Sequence, residues 1–350
     1  MFRFVFIGVL ATLLWWGCAE GFDINAPEED IWVVYGTLNP DDSLQYVRVS
    51  KAFQPRSNAL DSARTGEFTV RGLNVELKGA DQVYQARQVD SVFRQGNGDF
   101  GPMMTLYEFR TAEEGQLQVG ERYELQITAD SLEGFSLQAA CRIPSRPRIV
   151  QPVSYGNFNR SCLSTAFFED SVEVLFRKQS PGEPSTTAEA FEIRVIFEYR
   201  ENGEEKTFTF GPSRLFNGSK GCSSGQSGTL CYNYGSGIVF NGIQTALRDT
   251  HLQYTYRSEP SCAPARAFLP RSVRIQVTAI DSALATYMLL NDPGQRDFTS
   301  YRPEFTNVRG TERGVGIFGA IAMGESPVAL SACARYKLRL NGIQDSSLCQ

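Results

Sequence analysis

The sequence predicts a mainly β protein. An N-terminal immunoglobulin-like β-sandwich over residues 31–146 is followed by a second mostly β domain, with one short helix, over residues 147–350. Short runs in the first half alternate apolar and polar residues, as over 122–129, and a period of two is typical of half-buried strands. About seven such runs are separated by turn residues, which is the pattern of a sandwich.

The strands of the first domain are closely spaced. Tyr123 stands where a late strand of such a sandwich begins, and a tyrosine there often ties its hydroxyl to the preceding turn. Three prolines, at 144, 147 and 152, then interrupt the pattern. Proline cannot donate to a β ladder, so we place the domain boundary here. The predicted strands cover 31–38, 44–53, 67–78, 82–93, 104–111, 122–129 and 134–143.

The second domain also has mainly strand patterns. Asn202-Gly203 is a strong two-residue hairpin signal between two apolar runs. Residues 282–290 favour a helix, which Asp292-Pro293 would end. Residues 211–237 are rich in Gly and Ser and are predicted to form a loop. The predicted strands cover 191–199, 206–210, 271–279, 305–308, 315–321 and 334–340.

The N-terminus has the pattern of an export signal. Arg3 precedes an uncharged run over 4–16, which suits the apolar core of a signal peptide and is short of the ~20 residues of a spanning helix. Gly17 and Cys18 close the segment; lipoprotein signals are cut between such residues and the cysteine is acylated. We therefore predict a lipoprotein signal peptide over 1–17 and a lipid on Cys18.

Two other outcomes remain open at this end. Trp15 and Trp16 stand where lipoprotein signals usually have a leucine and a small residue. Gly17 and Ala19 form a small-x-small pair, so an ordinary signal peptidase could cut after Ala19 and release a soluble protein. An uncleaved membrane anchor is the third outcome.

The residues after the predicted lipid form an acidic tether over 18–30, too poor in apolar side chains to pack. The eight cysteines fit an oxidising compartment. Without Cys18, seven remain, so at least one stays free or pairs with another chain. Cys222 and Cys231 form the candidate disulfide, because both lie in the Gly/Ser-rich loop.

Two glycine-rich motifs look catalytic and are rejected. Residues 314–319, GVGIFG, fit the dinucleotide pattern G-x-G-x-x-G, which requires a strand before it and a helix after it. A charged turn precedes this motif and too few residues for a helix follow before Pro327, so we predict a glycine-rich strand. Residues 221–225 fit G-x-S-x-G, but their flanks offer no strand-to-helix turn.

No catalytic constellation, metal site or cofactor site is predicted. His251 is the single histidine, and one histidine cannot build a multi-histidine metal site. A pair of carboxylates is harder to exclude, because glycosidases need only two at a fixed separation in space. Tyr232 and Tyr234, beside the predicted disulfide, are candidate ligand-contact aromatics, with core packing as the alternative. The net charge of −5 without clustered Lys and Arg argues against nucleic acid as a partner.

Several segments carry a family resemblance. The acidic tether leads into Val33-Val34-Tyr35-Gly36, a helix around Tyr287 comes late in the chain, and the most specific stretch is Thr306-Asn307 followed by 314–320. Through these segments the chain resembles domain of unknown function 4249, a family of Bacteroidota lipoproteins. The resemblance covers nearly the whole mature chain. It implies a lipid-anchored outer-membrane protein, on the periplasmic or surface-exposed face, often encoded beside TonB-dependent receptors.

The resemblance brings no established activity and no catalytic residues. The first hypothesis is therefore a non-enzymatic binding or accessory module, held to the membrane by its lipid and working beside a TonB-dependent transporter. The alternatives are a surface glycan hydrolase that uses two carboxylates, or an adhesin. A sandwich scaffold alone does not choose among them, because such folds host many functions.

Overall fold

The computed structural model describes most of the two predicted β regions. The predicted signal peptide and tether lie outside the described residues. The described residues are 31–52, 70–93, 103–151, 171–184, 188–201, 203–211, 213, 215–222, 228–247, 254–255, 273–292, 305–328 and 336–339.

The first part of the chain forms nine strands and one helical turn in the described residues. The helical turn α1, Thr111–Glu114, lies between β6 and β7. The strands are β1 Trp32–Leu38, β2 Gln45–Lys51, β3 Asn74–Lys78, β4 Val83–Gln85, β5 Arg87–Phe93, β6 Met103–Phe109, β7 Arg122–Thr128, β8 Ser136–Arg142 and β9 Arg148–Gln151.

The second part adds eight strands and two helices in the described residues. The helices are α2 Ile238–Ala246 and α3 Ser282–Asn291. No helix in the described ranges combines the length and the apolar character needed to cross a membrane. The strands are β10 Ser171–Arg177, β11 Ala190–Glu201, β12 Glu204–Phe210, β13 Leu230–Ser236, β14 Tyr254–Thr255, β15 Val273–Ile280, β16 Arg309–Gly310 and β17 Gly314–Val328.

The N-terminal region is a β-sandwich, and the protein is mainly β, as predicted. One layer is the sheet β16-β8-β7-β3-β4, and the other is the run β17-β1-β2-β6-β5 of a nine-stranded sheet. Side chains from both layers form one core, which includes Trp32, Val34, Leu77 and Leu125. In β7 the buried residues alternate with residues that face outward, so the period of two indicated the buried face correctly.

Strand β17 joins the two parts of the chain. Its first half, 314–320, pairs in parallel with β1, and its second half, 321–328, pairs antiparallel with β15. Phe318 and Ala320 of this late strand lie in the N-terminal core. The sandwich therefore uses residues on both sides of the predicted boundary at 146/147, because hydrogen-bonded pairing, and not distance along the chain, selects the partners of a strand.

The second core lies against β11 and β15. It includes Phe191, Ile193 and Val277 from these strands, and Val239 and Ile243 from one face of α2. The sequence did not predict α2, which begins after Gly237 in a left-handed conformation and has no side-chain cap. Its amphipathic spacing of four residues places both side chains on the core face.

Two local signals of the second part are confirmed. β11 and β12 form an antiparallel hairpin in which Glu201 pairs with Glu204, and Gly203 has a φ of 89°. Helix α3 begins at Ser282 as predicted, and the carboxylate of Asp281 accepts a hydrogen bond from the backbone N–H of Leu284 at 2.9 Å. Such a cap satisfies a backbone donor that the first helical turn leaves without a partner.

Three predicted strands and the predicted loop over 211–237 need correction. The loop region contains strand β13, Leu230–Ser236, which pairs with β10. The run 82–93 is divided at Ala86 into two strands that belong to different sheets. The strand before Ala86, β4, pairs with β3, and the strand after it, β5, pairs with β6. Residues 305–308 are not a strand. The side chain of Asn307, and not a backbone ladder, forms hydrogen bonds with backbone groups of the neighbouring strands β8 and β17. The described part of 334–340 is a helical turn closed by the N–H of Arg339 and the carbonyl of Tyr336.

Tyr123 closes the turn before β7, as predicted. Its side chain is 1% exposed, and its hydroxyl accepts a hydrogen bond from the backbone N–H of Gln118 at 2.8 Å. Replacing Tyr123 by Phe leaves this N–H without its partner, so we expect the free energy of unfolding to fall by about 1.5 kcal/mol. Urea unfolding measures the change.

The control for this prediction is Tyr232→Phe. The ring of Tyr232 packs against those of Phe216 and Tyr234, and its hydroxyl makes no hydrogen bond among the described residues. Losing this hydroxyl is expected to change the unfolding free energy by less than about 0.5 kcal/mol. Equal effects of the two substitutions would contradict a special role of the Tyr123 hydroxyl.

Candidate functional site

A polar groove lies on the outer face of the five-stranded sheet. It is a cavity of 510 Å³ between this sheet and the segment 305–309, which forms its wall. We call it the polar groove. Its lining consists of Lys78, Arg122, Glu124, Leu125, Gln126, Gln138, Ala139, Ala140, Phe305, Thr306, Asn307 and Arg309.

Strand pairing places the polar side chains of the groove in rows across the sheet. Gln126 of β7 pairs with Gln138 of β8, which pairs with Arg309 of β16. Lys78 of β3 pairs with Glu124 of β7 in the next row. Since alternate residues of a strand point to the same face, these side chains share the outer face while their neighbours fill the core. Lys78 Nζ also donates to Gln126 Oε1 at 2.6 Å.

Asn307 holds the wall of the groove in place. Its amide nitrogen donates to the carbonyl of Ala140 at 3.1 Å and to the carbonyl of Phe318 at 2.6 Å. Its amide oxygen accepts from the backbone N–H of Phe318 at 3.0 Å. The side chain thus connects β8 of one layer with β17 of the other, and it satisfies backbone groups that would otherwise lack a partner.

The lining of the groove carries more positive than negative charge. Arg122 pairs with Glu124 at 2.9 Å, and Lys78 pairs at 3.2 Å with Glu76, outside the lining. The pKa of Glu76 lies below its usual value because Gln85 and Lys78 donate hydrogen bonds to its carboxylate. Within the described ranges, Arg309 makes no ion pair. The groove therefore offers an exposed guanidinium to an anionic group.

The lining of the groove contains one carboxylate among the described residues. This carboxylate belongs to Glu124, and it is engaged by Arg122. Glycoside hydrolysis ordinarily uses two carboxylates on either side of the scissile bond. Long amide and guanidinium side chains can instead exchange hydrogen bonds with a polar ligand.

The predicted cysteine sites are placed differently by the structure. Cys18 lies outside the described residues. Cys222 and Cys231 are joined as a disulfide with their Cα atoms 6.2 Å apart. A carboxylate oxygen of Glu173 lies 3.1 Å from the sulphur of Cys231, but bonded sulphur atoms are not the thiolates that bind zinc. Cys141 is a free, buried thiol whose pKa is raised by burial and by the charge of Asp281.

The two candidate contact tyrosines lie in the second core, away from the groove. Tyr234 is 8% exposed, and its hydroxyl donates to the carbonyl of Ile193 at 2.7 Å. Burial raises its pKa. The ring of Tyr232 is 4.9 Å from those of both Tyr234 and Phe216. This placement favours the packing role that the sequence left open.

The glycine motif over 314–319 is part of a strand. After this motif the strand continues to Val328, and no helix follows it directly. A Cβ atom at Gly319 would lie 2.6 Å from the Cβ of Leu284, so this glycine lets α3 approach the strand. The motif is therefore structural, as predicted. The other two sequence features, His251 and residues 223–225, lie outside the described residues.

The sequence did not single out the polar groove. The sequence pattern that corresponds to the groove is the row of outward polar residues Arg122, Glu124 and Gln126 on β7. An ordinary solvent-exposed sheet face has the same pattern, so the pattern does not indicate a groove. The wall residues Asn307 and Arg309 are far away in the chain and arrive through the pairing of β16 with β8. Only this long-range pairing turns a sheet face into a groove.

No curated protein matches the chain. The family model described as Domain of unknown function (DUF4249) matches residues 20–326. This match runs from the tether into β17 and covers the groove, the first core and all buried residues of the second core except Leu338. The chain therefore belongs to the family Domain of unknown function (DUF4249).

Proposed function

We propose that this chain is a non-enzymatic binding module, held at the outer membrane by a lipid on Cys18, that captures a polar ligand beside a TonB-dependent transporter. The polar groove carries the proposal. Its volume of 510 Å³ falls within the roughly 300–1,000 Å³ of typical ligand sites, and Asn307 holds its wall to both layers of the sandwich.

The tether suits this role. Residues 18–30 are acidic and poor in apolar side chains, a composition that favours a tether over a packed segment. The lipid would thus hold the sandwich close to the bilayer without packing against it.

A test of the anchor compares the full chain with its Cys18→Ser variant in a Bacteroidota host. We expect the native chain in the outer-membrane fraction, with a diacyl or triacyl group on Cys18 by intact-mass analysis. The variant should leave that fraction. A mature protein that begins at Glu20 without lipid would contradict the anchor.

The partner is tested by crosslinking in native membranes, followed by identification of the captured proteins. A TonB-dependent transporter is expected among the products of the native chain and absent from those of the Cys18→Ser variant. Repeated recovery of other proteins without a transporter would overturn the partner assignment. Because the groove has a single carboxylate among its described residues, hydrolysis of the captured ligand is not part of the proposal.

A further inference from the structure

We propose that the polar groove binds an acidic oligosaccharide, one carboxylate of which pairs with Arg309. This inference rests on the proposed function as a binding module and names the class of its ligand. It follows from the charge of the lining, from the covered edge of β8, and from the kind of side chains that line the groove.

The first argument is charge. The lining contains Lys78, Arg122 and Arg309 against the single carboxylate of Glu124 in the described residues. Arg122 pairs with Glu124, and Lys78 pairs with Glu76 outside the lining, whereas Arg309 makes no ion pair within the described ranges. The whole chain has a net charge of −5, so a cationic groove differs from the protein as a whole. A guanidinium recognises a carboxylate through two parallel N–H donors.

The second argument separates a glycan from a peptide. An extended peptide usually binds a sheet by adding a strand to a free edge. At the groove, β16 already pairs with β8. Further along the same edge, Asn307 donates to the carbonyl of Ala140, and the backbone N–H of Arg142 is hydrogen-bonded to the Asp281 carboxylate. Strand addition is therefore blocked at this edge.

The third argument is the lining itself. Peptide ligands rely on apolar side chains that enter hydrophobic pockets, but Leu125 and Ala139 of the lining are nearly buried, at 1% and 5% exposure. Phe305 and the small side chain of Ala140 are the partly exposed apolar residues among the described residues of the lining. Gln138 offers both a donor and an acceptor, which suits hydroxyl groups.

The length of the groove suits a short chain of sugars. Arg309 on β16 and Lys78 on β3 are separated by β8 and β7. Three inter-strand spacings amount to about 14 Å. An oligosaccharide with repeated carboxylates can thus place one acid group at Arg309 and extend across the sheet toward Lys78.

The test measures binding of trigalacturonate to the full chain in detergent by calorimetry. Replacing Arg309 by Gln should weaken binding about tenfold, because a charge-assisted hydrogen bond is lost. Methyl-esterified trigalacturonate should bind the native protein about tenfold more weakly as well, for the same reason. For the Arg309→Gln variant, the methyl ester and the free acid should bind with equal affinity.

The control variant is Arg177→Gln, which removes an exposed arginine from the end of β10, outside the groove lining. It should bind trigalacturonate as the native protein does. Equal binding of acid and ester by the native protein would overturn the pairing with Arg309 and leave the binding module intact. Equally tight binding of a poly-glutamate peptide would overturn the glycan class. If no sugar bound, the ligand assignment would fail, while the Cys18→Ser experiment would still report on the anchor.

Discussion

Replacing Gly316 by Ala is expected to lower the free energy of unfolding by more than about 4 kcal/mol. Gly316 has a φ of 111°, a region that side chains disfavour, and a Cβ atom there would overlap the carbonyl oxygen of Val34. These residues are partners in the parallel pairing of β17 with β1. The new methyl group would push apart the two strands at the junction between the two parts of the protein.

Two glycines provide matched controls for this substitution. Gly134 has a φ of 75° with open space around a built Cβ, and Gly218 has open space without a positive φ. We expect Gly134→Ala to cost about 1 kcal/mol from backbone strain alone. Gly218→Ala should remain within about 0.5 kcal/mol of the native protein.

Guanidinium-chloride unfolding of the four proteins gives the comparison, and a Gly316→Ala chain that fails to fold counts as the expected result. The clash with Val34 would be ruled out as the main effect if Gly316→Ala lost no more stability than Gly134→Ala. Strand β17 would then accommodate a side chain by a small shift, and the close approach to β1 would not be essential.

The second large effect is a loss of stability between about pH 4 and pH 6 that originates at Asp281. This residue is 5% exposed, and burial raises its pKa from 3.8 to about 6 despite hydrogen bonds from backbone N–H groups. Between these two pKa values the folded state keeps a proton that the unfolded state has released. Asp281 therefore contributes most to stability below about pH 4, and this contribution is lost as the pH rises through 6.

The expected loss of stability follows from the change in the pKa of Asp281 on folding. A change of about two pKa units corresponds to about 3 kcal/mol. Urea unfolding from pH 4 to pH 7 is compared for the native chain and Asp281→Asn. The stability of the native chain minus that of the variant should fall by about 3 kcal/mol over this range. The difference removes the contributions that both chains share.

Asp281→Ala separates the charge from the helix cap. Both variants lack the titrating group, so both should show the same pH dependence. Only Asp281→Ala loses the side-chain acceptor for Leu284 N–H, which should lower its stability by a further ~1 kcal/mol at every pH. Parallel curves for the native chain and Asp281→Asn would show that the carboxylate does not titrate in this range.

Local sequence patterns predicted local structure well. The alternation in β7 indicated its buried face, Asn202-Gly203 indicated the hairpin of β11 and β12, and the turn before β7 is closed by Tyr123. Each of these depends on residues a few positions apart. The helix after Asp281 was found for the same reason, because the cap and the first turn are neighbours in the chain.

The missed features depend on contacts between distant residues. Ala86 looks like the middle of one strand, but the chain changes sheets there because β4 pairs with β3 and β5 pairs with β6. Residues 305–308 have a strand-like composition, yet Asn307 satisfies backbone groups of β8 and β17 in place of a ladder. Helix α2 lacks a side-chain cap, so its apolar face against the second core provides the main stabilisation.

The sequence by itself determined the β class, the export pattern that ends at Cys18, the rejection of the dinucleotide motif and the candidate pair Cys222 and Cys231. These rest on composition, periodicity and short motifs. The tertiary structure decided that β17 completes the first sandwich, and that 305–309 lies against the edge of β8, where it forms the wall of the polar groove. The physical reason is that many strands of similar composition can pair with one another, and only the packing of the whole chain selects the pairs that form.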